Sequence, residues 1–191
     1  MPRSYRKGTL IIEEGSHGDT LYLIVRGSVR AFSSDARGRE ITYGVYGAGD
    51  YFGEMSLDGG PRAASVIAES ACVCIVLTRQ SLREHIAAEP DFAFELIARV
   101  IRRARLATQS ARSMALLDVY GRVVQLLESL AVMQEDGTRV IAERLTHAEI
   151  AARLGCSREM VSRLMADLER GGHTRRVAGT LVLAPTLPRR W

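Results

Sequence analysis

The chain has 191 residues, 47% hydrophobic and 25% charged, with a formal net charge of +4 at neutral pH. That length suits one large domain or two small ones, and the composition is that of a globular protein and argues against disorder. No apolar run is long enough to span a bilayer and the opening residues MPRSYRK lack the apolar core of a secretion signal, so a cytoplasmic protein without a membrane partner is expected.

From Thr9 to about Leu77 short apolar runs (TLII, LYLIV, SVRAF, ITYGVY, CVCIVL) alternate with turn signals at Glu14-Gly15, Arg26-Gly27, Arg37-Gly38 and Gly47-Ala48-Gly49. This pattern predicts a small all-β barrel or roll. After Pro90 the signal becomes helical: Ile97, Val100, Ala104, Ala107, Ala111 and Met114 recur at alternating intervals of three and four. Such a stripe can simply pack on its own domain. A seam lasting close to three heptads, with alanine at its centre, instead favours close approach of a second helix in a symmetric dimer.

A hinge is expected at Ala115-Leu116-Leu117-Asp118, then a helix from about Val119 to Met133 and a break at Glu135-Asp136-Gly137. In LTHAEIAARLGCSREMVSRLMADLE, Thr146 and Glu149 form a capping box that starts one helix, Gly155 makes a turn, and Ser157 caps a second helix. Val161, Leu164 and Leu168 fall on one face of that helix, with Arg158, Glu159, Ser162 and Arg163 on the other. A solvated face is the plain reading of the polar set. The short Gly turn and the long donors and acceptors on the first two turns favour a helix-turn-helix that reads base edges in double-stranded DNA. TRRVAGTLVL then predicts two strands about Ala178-Gly179, a basic wing.

Charge supports this division. From Arg139 to Trp191 ten Arg face five Asp or Glu, whereas the rest of the chain holds 16 basic against 17 acidic residues. A basic C-terminal part beside a neutral N-terminal one points to nucleic acid on one side. Cys72, Cys74 and Cys156 form neither an even disulfide framework nor a four-ligand metal set; Cys72 and Cys74 share a strand face and suit core packing. His17, His85, His147 and His173 are dispersed, and no metal triad or nucleophile–base set is visible, so a β-roll enzyme is disfavoured.

The segment YFGEMSLDGGPRAASV, residues 51–66, places an acid and a base either side of a Gly-Gly-Pro turn. With GDYFGEMSL and PRAASV, with ALLDVYGRV, and with EIAARLGCSREMVSRL, in that order along nearly the whole chain, the sequence resembles the cyclic-AMP receptor protein (Crp/Fnr) family of bacterial transcription regulators, and within it the cyclic-AMP receptor branch. The resemblance implies an α+β chain: a jelly-roll-like cyclic-nucleotide-binding β-roll over residues 1–89, a dimerisation helix and hinge over 90–117, and a winged helix-turn-helix over 118–191. It implies a homodimer gated by cyclic AMP, with cyclic di-GMP, cyclic GMP or no nucleotide as alternatives, and RNA polymerase as a partner.

By the same resemblance Arg62 takes the cyclic phosphate, Glu54 accepts from the ribose 2′-hydroxyl, and Gly53, Met55 and the Ala63 N–H complete the cassette. The chemistry agrees, because a phosphodiester monoanion needs a fixed cation and N–H donors. Both side chains are therefore expected to line a pocket rather than a core. Ala63 stands where the receptor branch has Ser, and Ala107 with Thr108 stand where it has Thr and Ser against the adenine, leaving Thr108 as the hydroxyl that can reach a base. The chain begins almost on its first strand, without the helix that usually precedes it, so family polymerase contacts through that part are not expected. Ser157, Arg158, Glu159, Ser162 and Arg163 match the recognition-helix positions, and the resemblance implies palindromes with TGTGA-like half-sites.

Overall fold

A computed structural model describes residues 2–135, 137–177 and 179–188. The chain divides into two compact units, residues 1–107 and 108–191.

The first unit is built from eight strands, β1 (Pro2–Tyr5), β2 (Leu10–Ile12), β3 (Leu21–Arg26), β4 (Val29–Ser34), β5 (Glu40–Tyr46), β6 (Tyr51–Phe52), β7 (Ser65–Ala68) and β8 (Cys72–Leu77). They form two four-stranded antiparallel sheets in the orders β1-β8-β3-β6 and β2-β7-β4-β5. Period-2 patterning decides the inner faces. Val66 and Ala68 of β7 and Cys72 and Cys74 of β8 are buried, with the residues between them less so. They join Ile12, Ile24, Val29 and a stacked Tyr22–Phe52 pair, ring centroids 4.7 Å apart, in one core. The chain passes from β3 in one sheet to β4 in the other through a turn at Gly27, with φ of 86°, where an added Cβ would lie 2.4 Å from the Ala71 carbonyl oxygen. Any other residue there would push this turn off the start of β8.

The cysteines behave as small core residues. Burial beside Cys72 pushes the Cys74 thiol up to about 12, and burial also raises Cys72. At pH 7 only about one Cys74 in 10⁵ would be thiolate. Native protein is therefore expected to keep both thiols unalkylated by iodoacetamide at neutral pH and to release them in denaturant, as read by intact mass; rapid native labelling of either would contradict this packing.

A helix that the sequence pattern did not signal, α1 (Arg79–Ala88), follows β8. Thr78 caps it by accepting from the Ser81 N–H at 3.1 Å, and Glu89, directly before Pro90, ends it. Its Leu82 packs with Leu21 and Tyr51 as a second, smaller core. The long helix α2 (Asp91–Leu116) has no buried residue, and all six seam positions are exposed, Ile97 at 52%, Val100 at 43% and Met114 at 44% among them.

In the second unit α3 (Val119–Leu130) starts at the Asp118 cap and stops three residues before the expected Met133. Val132–Met133 form β9, paired with β10 (Arg139–Ile141), because the Gln134 N–H closes a turn on the Thr138 carbonyl at 2.8 Å. The expected break includes Asp136, which lies outside the described residues. Then come α4 (His147–Leu154), α5 (Arg158–Arg170) and the hairpin of β11 (Thr174–Val177) with β12 (Thr180–Leu183). The expected wing strands are present; Ala178 of their turn lies outside the described residues, while Gly179 carries φ of 85°. The sheet order β11-β12-β10-β9 backs the helices, and Val123, Leu127, Ile141, Ile150, Val161 and Leu168 fill the core between them. Among the described residues, no helix is long and apolar enough to cross a membrane.

Candidate functional site

After β6 the chain turns through Gly53, with φ of 87°, into a 3-10 turn at Glu54–Ser56. An added Cβ at Gly53 would lie 2.7 Å from the Thr20 carbonyl oxygen and 2.8 Å from Arg62 Nη1. Only glycine lets the two sides of the cassette close on each other. Arg62 is strapped by its backbone, donating its N–H to the Ser16 carbonyl and accepting from the Gly15 N–H, both at 2.8 Å.

The structure brings Gly53, Glu54 and Arg62 together, with one difference from the pocket-lining expectation. Arg62 is 6% exposed, the one charged residue in the buried class among the described residues. Its Nη1 donates to the carbonyls of Thr20 (3.0 Å) and Gly53 (2.8 Å), and its Nη2 to Thr20 Oγ1 (2.8 Å). A guanidinium carries five N–H donors in a planar fork. The two that remain, on Nε and Nη2, have no partner among the described residues and share one edge. Gly18 lies against that edge: a Cβ there would stand 2.8 Å from Nη2 and 3.2 Å from Nε. The fork is thus held on one side by backbone while the other can meet a bidentate anion such as a phosphodiester. Met55 is 64% exposed on the 3-10 turn, and Ala63 is exposed.

The Glu54 side chain, only 8% exposed, forms an ion pair through Oε1 with Arg103 of α2. The sequence pattern missed this arginine. It also donates to the Tyr51 carbonyl, and its guanidinium lies 4.2 Å from the centroid of the Tyr46 ring. One turn earlier Arg99 repeats the arrangement, with Nη1 2.8 Å from Asp50 Oδ1 and its guanidinium 4.6 Å over Tyr51. The signal was available as arginines four apart in FELIARVIRRAR, lying off the heptad stripe. A carboxylate with one oxygen so engaged keeps the other to accept a hydroxyl. Thr108, further along α2, is exposed.

In the second unit the capping box forms as expected: Thr146 Oγ1 accepts from the Glu149 N–H at 3.2 Å, and Glu149 accepts from the Thr146 N–H at 2.6 Å. That bond holds the Glu149 carboxyl below the usual range. Gly155 turns the chain with φ of 63° into α5, whose N-terminal cap is Ser157, accepting from the Met160 N–H at 3.2 Å. The Ser157 hydroxyl therefore closes the helix end. Val161, Met165 and Leu168 are buried and Leu164 packs beside them, leaving Arg158, Glu159 and Arg163 exposed. The Glu159 carboxyl is pulled below the usual range by its own backbone N–H and by Ser157, so it is an anionic acceptor at neutral pH. Ser162 is half-buried, its Oγ 2.9 Å from His147 Nδ1. Arg175 and Arg176 stand exposed on β11. No group of His, Cys, Asp or Glu suited to hold a metal occurs among the described residues.

Two family profiles match, "Cyclic nucleotide-binding domain" over residues 2–89 and "Crp-like helix-turn-helix domain" over residues 121–185. The cAMP-activated global transcriptional regulator CRP of Escherichia coli is 34% identical over 172 residues, 86% of this chain and 80% of that protein. The CRP-like cAMP-activated global transcriptional regulator of Mycobacterium tuberculosis is 34% identical over 178 residues, 91% of this chain and 80% of that protein. Among solved structures, the c-di-GMP responsive global regulator CLP of Xanthomonas campestris superposes with a TM-score of 0.84 at 26% identity, covering 97% of this chain and 94% of its own. The relatives are regulators, not enzymes, and their two modules fall on the two sites described above. The chain belongs to the Crp/Fnr family of DNA-binding transcription regulators with a cyclic-nucleotide-binding domain.

Proposed function

We propose that the protein is a cytoplasmic homodimer whose binding to palindromic DNA is gated allosterically by cyclic AMP. The observation that carries the reading is the pairing of a backbone-braced Arg62 fork with the Glu54 carboxylate, whose second oxygen is available for a hydroxyl. A 3′,5′-cyclic ribonucleotide offers both partners, a phosphate monoanion and a free 2′-hydroxyl. Gly53, Met55 and the Ala63 N–H complete the phosphate cassette, and Thr108 of α2 contacts the base from the partner subunit. Residues 1–89 act as nucleotide module, 90–117 as dimerisation helix and hinge, and 118–191 as DNA module. The exposed seam from Ile97 to Met114 is the dimer contact, which sets the two recognition helices about one DNA turn, roughly 34 Å, apart.

Arg103 supplies a physical link between ligand and dimer. It pairs with the carboxylate that receives the ribose while belonging to the helix that carries the seam, so a ligand that draws on Glu54 also biases α2. A nucleotide that binds one arrangement of the dimer better shifts the population toward it, and DNA then raises nucleotide affinity by the same factor. On the operator, Arg158 and Arg163 read guanine, Glu159 accepts from cytosine, and Ser157 and Ser162 sit beside the backbone of a TGTGA-like half-site. RNA polymerase is the downstream partner.

A second reading is supported by the likeness to a c-di-GMP responsive regulator. That ligand also carries a 3′,5′-phosphodiester and 2′-hydroxyls. Calorimetric titration with cyclic AMP, cyclic GMP and cyclic di-GMP in one buffer separates the two. Cyclic AMP binding most tightly, one per subunit, is expected; preference for cyclic di-GMP, or no heat with any, overturns the cyclic-AMP reading.

A further inference from the structure

Arg99 and Arg103, one turn apart on α2, meet the β-roll in the same way but differ in one respect. The Asp50 carboxylate beside Arg99 is engaged on both sides, Oδ1 by that arginine and Oδ2 by the Gly47 N–H at 3.0 Å. The Glu54 carboxylate beside Arg103 is engaged through Oε1 and keeps an oxygen for a ligand hydroxyl. Arg99 therefore closes a structural clamp, whereas Arg103 stands next to the proposed ribose position. The ring behind Arg103 is set by its strand. Tyr46 and Gly44 pair with Val29 and Ala31 of β4, both buried, so they share the inner face of β5 at the edge of its sheet. A Cβ at Gly44 would stand 2.8 Å from the Tyr46 hydroxyl oxygen and 3.0 and 3.2 Å from two of its ring carbons. The missing side chain lets the Tyr46 ring pass over Gly44, and the Arg103 guanidinium covers that ring at 4.2 Å from its centroid. Glu54 and the Tyr51 carbonyl take two edges of the guanidinium and Tyr46 takes one face, yet the side chain remains 24% exposed.

We propose that the open face of the Arg103 guanidinium, backed by Tyr46, is the platform on which the base of the bound nucleotide stacks, so that Arg103 selects purine over pyrimidine. The inference rests on the cyclic-nucleotide reading above. The base is carried on the ribose carbon next to the one that bears the 2′-hydroxyl. A hydroxyl held by the free oxygen of Glu54 thus brings the base alongside the guanidinium paired to the other oxygen. A planar, delocalised cation stacks on an aromatic face in a way that the compact ammonium of lysine does not. Stacking grows with ring area and tolerates any pattern of ring substituents, so it separates purines from pyrimidines and not adenine from guanine. That second discrimination needs contacts to the base edge, the role proposed for Thr108. Tyr46 is a positioning residue, acting through the guanidinium that it holds from behind.

Calorimetric titration with cyclic AMP, cyclic GMP and 3′,5′-cyclic UMP at one salt concentration tests this on wild type, Arg103→Lys, Tyr46→Leu, Tyr46→Phe and, as a control, Arg99→Lys. Wild type is expected to bind both purine nucleotides at least about tenfold more tightly than cyclic UMP. Arg103→Lys keeps a cation for Glu54 but no plane, so purine affinities should fall about tenfold, cyclic UMP affinity should stay within about twofold, and the preference should vanish. Tyr46→Leu should lose most of the preference and Tyr46→Phe should keep it, while Arg99→Lys should show the wild-type ratio. A merely structural role for Arg103 would lower all three affinities together. That result, or a wild type that binds cyclic UMP as tightly as the purines, overturns the proposal. A wild type that binds none of the three overturns the cyclic-nucleotide reading, and the platform with it.

Discussion

Glu54→Ala is expected to weaken cyclic-nucleotide binding by about tenfold to a hundredfold while leaving thermal stability nearly unchanged. The lost interaction is a hydroxyl bond to a carboxylate, about 1.5–3 kcal/mol. The fold draws little on that carboxylate, because its partner Arg103 retains the Tyr51 carbonyl and the Tyr46 ring. Arg62→Ala behaves differently. It removes the proposed phosphate partner and also three hydrogen bonds that brace Thr20 and Gly53, leaving the Thr20 carbonyl without the donor it has here, while the Gly53 carbonyl keeps Ser56 Oγ. Alongside loss of binding, a stability drop of about 2–4 kcal/mol is expected. Calorimetry and thermal melting on both variants read the two effects separately. An unchanged isotherm for Glu54→Ala removes that residue from the site.

Val100→Glu is expected to convert the proposed dimer to monomer. Val100 is 43% exposed on a helix without buried residues, so a lone subunit tolerates glutamate there. In a symmetric seam the same change buries two carboxylates against each other, a cost of several kcal/mol. Sedimentation should report a species near the 21.0 kDa chain mass in place of twice that value. Operator affinity should fall on the order of 10²- to 10⁴-fold, since two half-sites are no longer engaged together. A variant that sediments as wild type places the subunit contact elsewhere.

Much of this architecture was legible in the sequence because it rests on local physics. Alternation of apolar residues set the inner faces of β7 and β8, Thr146 with Glu149 announced the start of α4, and Gly155 and Ser157 marked the turn into α5. What the sequence concealed depends on partners distant in the chain. Helix α1 is short and is held by Leu82 against Leu21 and Tyr51, so its periodicity is weak. Val132 and Met133 look like a continuation of α3 and become strand only through pairing with β10. The acid and base of the cassette were visible, but the contacts that hold them were not. That Arg62 is braced by Thr20, that Glu54 is claimed by Arg103, and that His147 holds Ser162 are each contacts between residues 15 to 49 positions apart.

The central claim is that nucleotide and operator are linked through the dimer. Its most direct test is the affinity of the wild-type protein for a TGTGA-palindrome duplex, measured with and without saturating cyclic AMP, together with nucleotide affinity measured with and without the duplex. The account predicts that cyclic AMP tightens operator binding by at least tenfold and that the duplex tightens nucleotide binding by the same factor. Equal operator affinity in the presence and absence of bound nucleotide would contradict it.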